Sequence, residues 1–74
     1  MADDLVRIEV ALDGGQIMGA LVTQQSADSL VRSLRDGNKG TVELDAEDGV
    51  VLLVLQRVLY LKRFARETRV GFEA

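Results

Sequence analysis

Residues 50–61 read Val50-Val51-Leu52-Leu53-Val54-Leu55-Gln56-Arg57-Val58-Leu59-Tyr60-Leu61, and Lys62-Arg63-Phe64-Ala65-Arg66 follow. A run this apolar must be a core strand covered on both faces, a subunit interface or a membrane-facing element. It is interrupted by Gln56 and Arg57 and is shorter than the ~20 residues a helix needs to span a bilayer. A helical reading would put Gln56, Tyr60, Arg63 and Glu67 on one side and would suit a membrane surface, apolar residues lying next to a basic end. A strand reading is simpler. Asp48-Gly49 is a strong turn signal immediately before the run, and the early part is rich in Val and Leu without polar interruption. The spacing predicts a strand from Val50, a break near Gln56-Arg57, and a second strand through Tyr60.

Working outward from this run, Thr41 to Ala46 alternates, with Val42, Leu44 and Ala46 inward and Thr41, Glu43 and Asp45 outward. Before it, Ala27, Leu30, Val31 and Leu34 fall on one helical stripe. Ser26 is the expected cap, Asp28 the expected partner of the positive helix end, and Gly37 the expected stop. The first part of the chain reads as a hairpin. Val6, Ile8, Val10 and Leu12 alternate with Leu5, Arg7, Glu9 and Ala11; Asp13-Gly14-Gly15 turns; Gln16 to Thr23 returns. Gly19 weakens the return strand, or marks a bulge or close packing. The expected fold is α+β: one small β-β-α-β-β domain over residues 1–74, an antiparallel-rich sheet with one helix packed on one face. The tail Arg69-Val70-Gly71-Phe72 could add a short edge strand or cover an exposed edge. Because the connections are short, neighbours in sequence are expected to be neighbours in space.

Several of these pieces together resemble a family of very small, uncharacterised bacterial proteins, some of which carry the label "ATP-binding protein". The matching pieces are Gln25-Ser26-Ala27-Asp28, Glu47-Asp48-Gly49, Val54 through Leu61 with Tyr60, and Arg69-Val70-Gly71-Phe72. The similarity spans nearly the whole chain in short motifs. The chain departs at Leu55, where the family tends to have proline, and at the cationic Lys62-Arg63. The resemblance implies the fold and no particular activity.

The composition narrows the chemistry. At 74 residues, with no cysteine and no histidine, the chain lacks disulfides, thiolate ligands and the usual general base near neutral pH. One core of this size rarely supplies more than ~3–5 kcal/mol, so oligomerisation is the remaining source of support. The net charge of −3 gives no case for bulk nucleic-acid binding, but it is unevenly spread. Residues 1–49 hold ten acids against four bases; residues 50–74 hold five bases against two acids. Met1-Ala2-Asp3-Asp4 is acidic with no apolar region after it, which predicts a cytoplasmic protein.

Site motifs are weak. Asp13-Gly14-Gly15 is glycine-rich but has no lysine and no phosphate-loop sequence, and its aspartate repels phosphate. Glu43, Asp45 and Glu47 could converge on a hard cation, but the calcium-loop pattern D-x-D-x-D-G is absent and an outward solvated strand face is the simpler reading. Ser26, Ser29 and Ser33 have no histidine to activate them. The expectation is a non-enzymatic protein without cofactor or metal, a self-associating interaction module. A dimer is favoured, because exposed apolar patches mark interaction sites and two-fold closure is the commonest solution. Val51, Leu53, Val54, Leu55, Leu59 and Leu61 are the candidate interface. The alternative is a small nucleic-acid-binding protein using the basic stripe Arg57–Arg69, with Arg57, Tyr60, Lys62, Arg63 and Arg66 as contacts.

Overall fold

A computed structural model describes residues 4–65. The order is β1 (Leu5–Leu12), β2 (Gln16–Thr23), α1 (Gln24–Arg35), β3 (Thr41–Ala46), β4 (Gly49–Val54), a single 3₁₀ turn (Leu55–Arg57) and β5 (Val58–Arg63). The expected α+β domain is what forms, a five-stranded antiparallel sheet with one helix against it. The apolar run becomes two strands, broken at the 3₁₀ turn. Arg66 and the segment Arg69-Val70-Gly71-Phe72 lie outside the described residues.

The hairpin β1–β2 closes over Asp13-Gly14-Gly15, where both glycines take φ near +89°. The helix is capped three residues earlier than the expected Ser26. Thr23 is its cap, and the Thr23 hydroxyl oxygen accepts the Ser26 amide at 3.1 Å. Asp28 consequently lies beyond the first turn. Gly37, at φ +70°, ends the helix with paired bonds: its amide donates to the Leu34 carbonyl and the Asn38 amide to the Ser33 carbonyl. This is the double bond pattern of a Schellman stop.

The strand order is β4-β3-β2-β1-β5. Consecutive strands β4 and β5 thus occupy opposite edges, contrary to the expectation of adjacency. In a flat five-stranded sheet the edges would lie about 19 Å apart, four spacings of ~4.8 Å. The chain from Val54 to Val58 reaches at most about 14 Å even fully extended. The sheet must therefore curl. Pairing is sparest between β2 and β3, where it narrows to Val22 opposite Ala46, backed by the Glu47 amide on the Leu21 carbonyl at 2.9 Å. The connection from β4 to β5 is tied down at both ends, the Leu55 amide donating to the Gly40 carbonyl beside β3 (2.8 Å) and the Asp13 amide, beside β1, donating to the Arg57 carbonyl (2.9 Å).

The core fills the inside of this curl. Val6, Ile8 and Val10 of β1, Val22 of β2, Ala27 and Leu30 of α1, Leu44 of β3, Leu53 of β4 and Leu55 form it. The inward parity expected for β3 and the helical stripe is the one observed, with Val31 and Leu34 half-buried at the margin; in β1 it holds through Val10, and at the register shift Ala11 is buried while Leu12 is half-buried. No helix among the described residues is long and apolar enough to cross a membrane.

Candidate interaction surface

Strand alternation divides β4 into two sides. Val51 and Leu53 lie opposite Leu44 and Val42 and face the core. Val50, Leu52 and Val54 lie opposite Asp45, Glu43 and Thr41 and face outward. They are 63%, 60% and 47% exposed. Three large aliphatic side chains therefore stand in a row on the outer side of an edge strand.

The two edges of the sheet are built differently. Edge strands expose unpaired backbone groups, and proteins ordinarily blunt them with charge, proline, bulges or a covering element. The β5 edge carries such devices. Lys62 and Arg63 lie within it, and its register with β1 shifts between Ala11 and Leu12, leaving Leu59 without an opposite residue. Arg63 donates to Asp28 at 2.8 Å and to Gln24 at 2.7 Å, bracing this edge against α1. The β4 edge, Gly49-Val50-Val51-Leu52-Leu53-Val54, has no charge, no polar side chain and no proline, and its register with β3 is unbroken.

This geometry sorts the residues singled out from sequence. Leu53 and Leu55 are only 5% exposed and belong to the chain's own core, so they are not open to a partner. Val51 and Leu61 are half-buried against the same core. Val54 is exposed on the outer side. Leu59, 68% exposed, sits at the bulge and lines an open groove with Val31, Leu34 and Leu61 between α1 and β5. Val50 and Leu52 were missed. Their signal was strand parity: carried through the run from the Asp48-Gly49 turn, it puts both on the side of Val54.

The basic stripe divides in the same way. Arg57, in the 3₁₀ turn, pairs with Asp13 at 3.2 Å. Arg63 faces the helix and pairs with Asp28. Lys62 is on the outer side, its ammonium 4.6 Å from the Phe64 ring centroid, with the Arg7 guanidinium 5.7 Å from the same ring. Tyr60, also on the outer side, donates its hydroxyl to Glu9 at 2.6 Å. That hydrogen bond raises the Tyr60 pKa above its ordinary 10.0, helped by partial desolvation and the Glu9 charge. Arg57, Lys62 and Arg63 thus point to three different surroundings, and Arg66 lies outside the described residues. Asp13-Gly14-Gly15 is the hairpin turn. Among the described residues no three acidic side chains are arranged to hold a metal ion.

No family model, curated protein or solved structure matches this chain.

Proposed function

We propose that the chain is a non-enzymatic protein-interaction module that associates with a second copy of itself. The observation that carries this reading is the β4 edge, whose outer side exposes Val50, Leu52 and Val54 in a row with no charge within the strand. Exposed apolar groups gathered on an open sheet edge favour either association or aggregation, and a closed two-fold dimer covers them without propagating. The small core adds to the argument, since a partner adds burial to a core of modest size.

The layout of the cations weighs against nucleic-acid contact through Arg57–Arg69. A binding stripe needs its charges on one accessible surface, whereas Arg57 and Arg63 are each engaged by an acid on different parts of the fold. The resemblance to small bacterial proteins supports the fold and adds no activity to this reading.

Light scattering at micromolar concentration tests the proposal. The expected mass is about twice the 8.1 kDa of one chain, and Leu52→Lys is expected to return it to that of a single chain. A wild-type chain that is monomeric under these conditions overturns it.

A further inference from the structure

We infer that the second copy joins through β4 itself, its strand lying antiparallel to the first about a two-fold axis at Leu52. The inference rests on the self-association reading and adds the edge, the orientation and the register.

The occupant of a free strand edge is a strand, because only a strand satisfies a row of backbone amides and carbonyls. A strand apolar on both sides buries the most there: β4 places Val51 and Leu53 toward the core and Val50, Leu52 and Val54 outward, and on the outer side β3 offers that row only Thr41, Glu43 and Asp45, so further apolar cover has to come from the open edge. Among the described residues one edge strand is of that kind, β4; the other edge, β5, carries Lys62 and Arg63 and is bulged. A second β4 is therefore the complementary strand. With no charge from Gly49 to Val54, no like charges come into opposition across the pair.

Parity fixes the register. Residues directly opposite one another in an antiparallel pair point to the same side of the sheet, so a two-fold axis must pass through a residue position and not between two. Centring on Val51 sets Gly49, which has no side chain, opposite Leu53. Centring on Leu52 pairs Val50 with Val54 and Leu52 with Leu52 on the outer side, and Val51 with Leu53 on the core side. All three exposed side chains of each copy then acquire a neighbour. Continued past the strand ends, this register carries the acidic turn Glu47-Asp48 toward the Gln56-Arg57 end of the other copy. The Arg57 side chain is 67% exposed there, and the same opposite-charge approach repeats at the symmetric end.

The absence of cysteine makes the register directly readable. Leu52→Cys, Val50→Cys and Val54→Cys all replace exposed side chains. Each is oxidised at the concentration at which the wild-type mass is measured, with Ile17→Cys, exposed on β2, as control. Directly opposite Cβ atoms lie about 5 Å apart, near disulfide reach, whereas the two copies of Val50 or of Val54, each two positions from the axis, are four residues apart along the strands, about 14 Å. Leu52→Cys is expected to cross-link alone. Val50→Cys and Val54→Cys are expected to cross-link when mixed and not separately, and Ile17→Cys not at all. A dimeric wild type in which neither Leu52→Cys nor the mixture cross-links overturns the β4 pairing and leaves self-association standing. Cross-linking by Val50→Cys alone overturns the register. A monomeric wild type overturns both.

Discussion

The Ser26 hydroxyl oxygen accepts the backbone amide of Asp45 at 2.8 Å, across 19 positions of sequence. It also accepts the Thr23 hydroxyl at 2.9 Å. Ser26 is buried, and this bond fastens the first turn of α1 to β3 beside the short β2–β3 pairing. Ser26→Ala leaves a part-buried amide without its acceptor, which typically costs about 1–3 kcal/mol. The expected outcome is a lower urea midpoint with an unchanged slope. A midpoint equal to wild type would show that Ser26 contributes nothing beyond its place in the helix.

Leu52 and Leu53 are adjacent in sequence and opposite in consequence. Leu53→Ala empties part of the core and is expected to cost about 2–5 kcal/mol, comparable with everything a domain of this size has to lose. Leu52→Ala removes an exposed side chain and is expected to stay within about 0.5 kcal/mol for the isolated fold. Its effect should appear in the mass distribution instead. Thermal melts followed by circular dichroism, beside light scattering, separate the two; equal destabilisation by both would contradict the assigned strand parity.

These two residues also show what the sequence made legible. Alternation, the glycine turns and the helical stripe placed the elements, and Gln56-Arg57 marked the break in the apolar run. The side of each residue within that run was equally open to parity, yet Leu53 and Leu55 were assigned to an interface because both are large and apolar. Burial is settled by what lies opposite, here Val42 for Leu53, and that pairing is non-local. The helix cap failed for a related reason. Thr23 and Ser26 are both competent caps, and Ser26 is withdrawn to serve Asp45, a contact no local pattern contains. The placement of β4 and β5 at opposite edges depends on the curl of the sheet, which short connections alone do not encode.

Arg63 bridges β5 to α1 through Asp28 and Gln24 in a partly exposed setting. Exposed pairs are worth about 0–1 kcal/mol and weaken with salt, so Arg63→Ala is expected to lower stability by no more than that, with the difference shrinking at high ionic strength. The same protein tests the cation stripe. A polarisation titration with a labelled single-stranded oligonucleotide at low salt is expected to stay flat for wild type and variant alike. A salt-sensitive rise that Arg63→Ala diminishes would favour nucleic-acid binding over the interaction module.

Tyr60 is the chain's single tyrosine, so the ultraviolet absorbance of tyrosinate reports one group. In the folded chain its neutral hydroxyl donates to Glu9 across the β1–β5 pair. Ionisation removes that donor and places a second negative charge beside the carboxylate, which is why the pKa is raised above 10.0. The folded state thus holds this proton more tightly than the unfolded state. The resulting contribution to stability is fully present below the unfolded value and is lost as pH rises through the folded value. An alkaline titration is expected to show a midpoint above 10.0, returning to the ordinary value in concentrated urea. Glu9→Gln removes the charge while keeping a carbonyl acceptor, and should move the midpoint down toward the ordinary value without unfolding the chain. A wild-type midpoint at or below 10.0 would mean that the Tyr60–Glu9 bond does not hold in solution, and that the β5 edge is less firmly tied to β1 than the contrast between the two edges requires.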